Sequence, residues 1–132
     1  MIEIKKTTSK EVYEEFGFDS SSTVMAVKDG DELLGAGCVT LKDGYAVMDK
    51  VCMKESYKMF NMDFGLAKSL LNMLDLAGVK YVFSNIDDDR LMTALRFKKE
   101  FEIPEGVNIT DEYSRFLCLD GYFTSGGCES CK

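Results

Sequence analysis

The chain has no histidine, no tryptophan and a single proline, and its basic residues are outnumbered by acidic ones, 16 against 23. Without histidine it lacks the commonest general base at neutral pH, the serine–histidine route to an activated nucleophile and the usual zinc-hydrolase ligand set. A net charge of −7 leaves no basic footprint for phosphates, so no nucleic-acid partner is expected. The same charge is compatible with a cationic small substrate. No apolar run reaches the length of a membrane span, and no membrane partner is expected. The opening MIEIKKTTSKEVYEEF alternates and then turns polar, unlike the charged-then-apolar order of a signal peptide, so the expected compartment is the cytoplasm. With no repeat and no internal linker, the sequence predicts one compact domain over 1–123 and a flexible tail over 124–132.

What the chain does have begins with five cysteines. Cys38, Cys52 and Cys118 lie in apolar, strand-like runs, where cysteine behaves as a small buried hydrophobe. Cys128 and Cys131 form a C-x-x-C in the tail TSGGCESCK. A tetrahedral metal site needs two more ligands, and none is paired nearby. A redox C-x-x-C sits at a helix start, whereas this one follows a Gly-Gly linker. The tail therefore reads as a mobile end, with a redox or metal role as a remote alternative.

Periodicity places the elements. MIEIKKTT alternates as a strand, and KEVYEEFGFDS follows as a short helix with Ser9 as N-cap. Asp29-Gly30 and Asp43-Gly44 each sit between apolar runs, the signal of tight hairpins, which gives three antiparallel strands in a meander. From about Asn61 to Ala77 the pattern is helical and apolar over much of the girth, so this helix is expected to be buried on more than one side. Gly78 closes it, and VKYVFSNI follows as an apolar strand, a strand–helix–strand order that implies parallel pairing. DDDRLMTALRFKKEF reads as a second long helix, and EYSRFLCLDGYF contains a last strand. On YAVMDKVCM, alternation puts Val47, Asp49, Val51 and Met53 on one face. Asp49 is then a carboxylate between two valines, where partial burial raises a pKa toward that of a useful base.

This order of elements, together with KESYKMFNMDFGLAKSLL at residues 54–71, resembles the GNAT (GCN5-related N-acetyltransferase) family. That family's fourth strand, loop and third helix read something like I-E-R-L-A-V-D-P-E-Y-R-G-K-G-I-G-S-x-L-L, ending at R-G-V-K-x-V. Laid without a gap, Met48–Met53 falls on the strand, Lys54-Glu55-Ser56-Tyr57-Lys58 on D-P-E-Y-R, and Ala77-Gly78-Val79-Lys80-Tyr81-Val82 on the final stretch. The family's Q/R-x-x-G-x-G/A motif falls on Lys58-Met59-Phe60-Asn61-Met62-Asp63, which keeps a basic residue and replaces both glycines. A gapped register, Met62-Asp63-Phe64-Gly65-Leu66-Ala67, recovers Gly and Ala but loses the basic residue and shortens the helix.

The resemblance implies an α/β (α+β) fold, a mixed, mostly antiparallel central sheet flanked by helices. It implies acetyl-CoA as co-substrate, with the pantetheine along Val51, Cys52 and Met53 and beside Asn85. The diphosphate would lie at Lys58, Met59, Asn61, Met62 and Asp63, and Asp49 would take the place of the base. The family's acid is often a tyrosine in L-Y-x-K-x-G-F. Here Leu95-Arg96-Phe97-Lys98-Lys99-Glu100-Phe101 has Arg96 at that position, and Phe97 reads as core. The implied activity is transfer of an acetyl group to a small-molecule or peptide amine. The alternative is a non-catalytic protein of the same fold that binds a partner or another ligand. The replaced glycines, Asp63 and the absent tyrosine point that way, since Asn61 as N-cap and Asp63 in the first turn also make a stable helix start.

Overall fold

The computed structural model describes residues 2–54 and 62–123. Six strands form one sheet in the order of the chain. β1 (Ile2–Thr7) is an edge strand, mostly exposed and rich in charge, as unpaired edges tend to be. β2 (Thr23–Asp29), β3 (Glu32–Leu41) and β4 (Ala46–Met53) form the antiparallel meander, turning at Gly30 and Gly44, whose φ values are +62° and +87°. The chain leaves β4, returns through helix α2 (Met62–Leu76) and lays β5 (Tyr81–Ser84) parallel to β4. β6 (Arg115–Cys118) closes the sheet antiparallel to β5. The mixed, mostly antiparallel sheet expected from the sequence is the one observed.

α2 lies on one face of the sheet, where Leu66, Ala67, Leu70, Leu71 and Leu74 are buried. Each fully buried leucine contributes roughly 1.5–3 kcal/mol relative to exposure. α3 (Asp89–Ala94) shares that side through Leu91 and Met92. Close packing of α2 depends on Gly37 of β3, where an added Cβ would lie 2.8 Å from Leu70 Cδ1. On the opposite face, α1 (Lys10–Phe16) covers β2 and β3 through Val12, with Phe18 beside it. A second cluster on that face joins Tyr45, Val47, Phe83 and Phe116 to Phe101, Val107 and Tyr113 of the long connection before β6. Between these two clusters the sheet surface is open.

Two local expectations are corrected and a third, the Ser9 N-cap, is met in position. The second long helix stops at Ala94. Phe97 N–H donates to the Met92 carbonyl, Arg96 turns to a φ of +70°, and Lys98 then forms a bridge to Phe116 of β6. Pairing with the sheet therefore overrides the helical pattern beyond residue 95. Ser9 does occupy the N-cap of α1, but its side chain makes no capping bond. The even alternation along β4 is interrupted, with consequences for the site. Among the described residues, no helix is long and apolar enough to cross a membrane. The tail over 124–132 and Lys58, Met59 and Asn61 lie outside the described residues.

Candidate active site

β4 and β5 pair only at Ala46–Val82, Val47–Phe83 and Met48–Ser84. β5 then ends, while β4 runs on to Met53, so the two parallel strands part at Met48 and Ser84. Ser84, fully buried, holds the fork: its hydroxyl donates to the Met48 carbonyl at 2.8 Å and accepts from Ile86 N–H at 3.1 Å. Val51, Cys52 and Met53 line the β4 side beyond the fork.

At the same point β4 carries a bulge. Val39 pairs with Met48 but Cys38 pairs with Lys50, leaving Asp49 as the extra residue. A bulge reverses which side chains face which way. Val47 therefore packs with Tyr45 and Phe83 on one face, while Val51 and Met53 pack on the α2 side. Asp49 is thus not a carboxylate enclosed between two valines. It is exposed, and accepts a 2.5 Å hydrogen bond from Thr40 Oγ1.

Asp49 lines a cavity of about 510 Å³ in the open stretch of the sheet face, with Thr40, Lys42, Asp111, Glu112 and Tyr113. A neighbouring hollow of about 370 Å³ shares Thr40, Lys42 and Asp49 and extends to Phe18 and Lys50. Lys50 Nζ lies 6.0 Å from the Phe18 ring centroid and 3.4 Å from the Gly17 carbonyl oxygen, to which it donates. Tyr113 packs against Phe83 at 5.3 Å between ring centroids. Its phenol is pushed up to about 12, chiefly by desolvation and secondarily by the charges of Tyr45 and Asp111. It therefore stays protonated at neutral pH. Cys38, also at the smaller hollow, has its thiol raised to about 12, first by burial and then by the Asp49 charge, so it is a poor nucleophile.

The other sequence-expected residues fall in separate places. Asn85 lies just past the fork, but its side chain is engaged: the amide donates to the Glu112 carbonyl at 2.9 Å, and its Oδ1 accepts from Ser114 N–H at 2.7 Å. It positions the 112–114 segment that walls the cavity. Cys52 is half-buried and packs toward the α1 cluster. Met62 packs toward Val27, Leu34 and Leu66. Asp63, in the first turn of α2, accepts from Phe64 N–H at 2.8 Å through Oδ1 and from Arg90 at 2.6 Å through Oδ2. Arg96 is exposed, and Phe97 is core as expected.

Sequence reasoning singled out none of Thr40, Ser84, Arg90 and Tyr113. Counting back across the Asp43-Gly44 hairpin brings Thr40 opposite Val47, near Asp49. Nothing local in the sequence marks the bulge or the Asp63–Arg90 pair, which spans 27 positions.

No protein-family model matches the sequence, and no curated protein sequence does. Solved structures do match. The ribosomal-protein-S18-alanine N-acetyltransferase from Escherichia coli superposes with a TM-score of 0.65 at 11% identity, over 88% of this chain and 90% of that one. Tetrahymena GCN5 gives 0.60 at 13% identity, over 82% and 74%. A GNAT family acetyltransferase from Elizabethkingia anophelis with acetyl-CoA bound gives 0.59 at 14% identity, over 89% and 94%. At these identities the likeness concerns the fold, and the fold of this chain is that of the GNAT acetyltransferases.

Proposed function

We propose that the protein is an N-acyltransferase that moves an acetyl group from acetyl-CoA to an amine, with the reacting groups meeting at the fork between β4 and β5. The observation that carries this reading is the coincidence of three features at one place. The parallel strands part at Met48 and Ser84, the bulge sets Asp49 outward beside that gap, and a 510 Å³ cavity opens on Asp49. A ligand seat outside the carboxyl ends of adjacent parallel strands is the general expectation for such sheets.

The fit of an acyl-CoA can be judged from this chain's own groups. The stretch of β4 beyond the fork offers a strand edge that β5 does not follow, and Val51, Cys52 and Met53 are proposed to hold the extended arm there. When bound, acetyl-CoA would supply the thioester: the C–N bond to the amine would form as the C–S bond breaks, and the departing thiolate would take its proton from solvent. Asp49 is proposed to accept a proton from the incoming ammonium at a carboxylate oxygen, with Thr40 fixing the other side of the carboxylate. Solvent reaches Asp49, so the proton has an exit. The acceptor enters from the cavity, where Asp111 and Glu112 favour a cation and Tyr113 contributes a phenol that stays protonated. The small-molecule or peptide nature of the amine is part of the proposal. The neighbour from Escherichia coli, by its name, acts on an alanine of a ribosomal protein.

The test is transfer of radiolabelled acetyl from acetyl-CoA to a panel of diamines, amino-acid amides and short peptides, with Asp49→Asn in parallel. The proposal expects transfer to at least one amine and a fall of about 100-fold or more in the variant. Transfer that Asp49→Asn leaves unchanged removes Asp49 from the reaction. Absence of transfer and of acetyl-CoA binding favours the second reading, a non-catalytic protein of this fold. One observation supports that alternative: the first turn of α2 already carries its own carboxylate, Asp63, bonded to a backbone N–H and paired with Arg90.

A further inference from the structure

The sheet has two edges, and they differ. At β6 the outer side is met by Lys98, which bridges to Phe116. β1 stands at the other end of the strand order and, among the described residues, pairs only with β2. An open edge is usually guarded by a bulge, a proline or a very short strand. β1 has none of these: its six residues pair with β2 in an unbroken register, from Ile2–Asp29 to Thr7–Val24. It does carry charge, at Glu3, Lys5 and Lys6, and the order of those charges decides what can pair with it.

Alternation and packing divide the strand between two faces. Ile4 packs toward Val27, Leu34 and Leu66 on the α2 side, and Ile2, on the same face, is 48% exposed. On the opposite face Glu3 and Lys5, both exposed, form a 2.6 Å ion pair. They line a hollow of about 420 Å³ there with Ala26 and Lys28. Two copies of an edge strand join antiparallel about a two-fold axis perpendicular to the sheet, which keeps each face on its own side. Residues directly opposite then share a face, so the axis passes through a residue. Centred on Glu3 or on Lys5, it sets like charges against each other, which is destabilising. Centred on Ile4, it sets Ile4 against Ile4 and Glu3 against Lys5 twice, with Ile2 against the aliphatic stem of Lys6. The strand is self-complementary in that register.

We propose that β1 is a dimerisation edge: a second copy of this chain pairs with it antiparallel across Ile4, joining two six-stranded sheets into one. Main-chain hydrogen bonds supply the attachment, and the Glu3–Lys5 pairs between copies fix the register. β2 and β3 lie between this edge and β4, so both forks stay open. The pairing holds whether or not the protein transfers acyl groups.

Sedimentation velocity of the full chain, from micromolar to millimolar concentration, tests this with Glu3→Lys, Lys5→Glu and an equimolar mixture of the two. The unaltered chain is expected to dimerise. Either variant alone opposes like charges twice in the Ile4 register and is expected to weaken the dimer about tenfold or more. Circular dichroism verifies that each variant, altered only at an exposed position, keeps its fold. In the mixture each chain still lacks its own Glu3–Lys5 pair, but opposite charges face each other again across the two copies. A mixed dimer is therefore expected at an affinity close to that of the unaltered chain. Recovery in the mixture is the discriminating result, because no effect inside one chain produces it. A mixture that stays as weak as its components overturns the proposal. So do variants that dimerise like the unaltered chain, which place the contact on another face. A chain that is monomeric at millimolar concentration also overturns it and leaves the edge to a strand of another protein.

Discussion

Replacing Ser84 by alanine removes one oxygen from the point where β4 and β5 part, and the structure gives the size of the effect. Ser84 is fully buried, so water cannot replace the lost hydroxyl. Two backbone groups lose a partner: the Met48 carbonyl, which accepted at 2.8 Å, and Ile86 N–H, which donated at 3.1 Å. A buried polar group left unsatisfied costs about 1–3 kcal/mol. Ile86 is only half-buried and can recover part of its loss from solvent. A net destabilisation of about 2 kcal/mol follows, or roughly 6–10 °C in Tm for a domain of this size. Urea unfolding followed by circular dichroism measures it, with an unchanged m-value showing that compactness is unaffected. Ser114→Ala is the comparison, since that exposed residue's hydroxyl donates only a 3.4 Å bond, to the Ser84 carbonyl, and its loss should cost under about 0.5 kcal/mol. A Ser84→Ala stability within about 0.5 kcal/mol of the unaltered protein would refute the reasoning. The fork would then be held by the strands alone.

Gly35→Ala should be more damaging than an ordinary surface change, because its Cβ would meet Met53 Sδ and lie 2.5 Å from the Cys52 carbonyl oxygen. The expected cost is about 2–3 kcal/mol, and a urea midpoint unchanged from the parent would contradict it. Asp89 has its pKa held below the ordinary 3.8, first by its hydrogen bond from Arg115 and then by Lys99. A depressed carboxylate stabilises the fold fully above its unfolded pKa, and that contribution disappears as pH falls from there through the folded value. Asp89→Asn should therefore lower the urea midpoint at pH 7, with the two profiles converging below about pH 4; parallel profiles would sink the assignment. The Cys38 thiol, raised to about 12, should resist iodoacetamide at pH 8 in the native protein and react on unfolding. Rapid native labelling, mapped to Cys38 by mass spectrometry, would contradict its burial.

The parts of the fold that the sequence specified were those governed by neighbours along the chain. Asp29-Gly30 and Asp43-Gly44 supply positive φ where hairpins need it, and both turns lie there. The apolar girth of α2 and the glycine after it gave a helix within about one residue of the observed Met62–Leu76. Features governed by contacts across the sheet were not legible. The Asp49 bulge is a mismatch between β3 and β4, and neither strand's own pattern announces it. α3 ends early because Lys98 finds Phe116, 18 positions later, and Arg96 adopts a positive φ without being glycine. Arg90 and Asp63 are distant in sequence, so the sequence placed Asp63 in the first turn of α2 and at the implied diphosphate position but did not show that it also holds a guanidinium. Sequence thus marked Asp49 as worth testing for a reason, burial between valines, that the structure replaces with another: an outward bulge beside the fork.

The central claim is that the gap between β4 and β5 seats an acyl-CoA thioester beside Asp49. Titrating ¹⁵N-labelled protein with acetyl-CoA while following backbone amide shifts addresses it most directly. The account predicts saturable shifts at the amides from Lys50 to Met53, at Phe64 and at Arg90, with little change along β1 and β2. Shifts confined to another surface, such as the 98–105 segment beside β6, or none at millimolar acetyl-CoA, would contradict it.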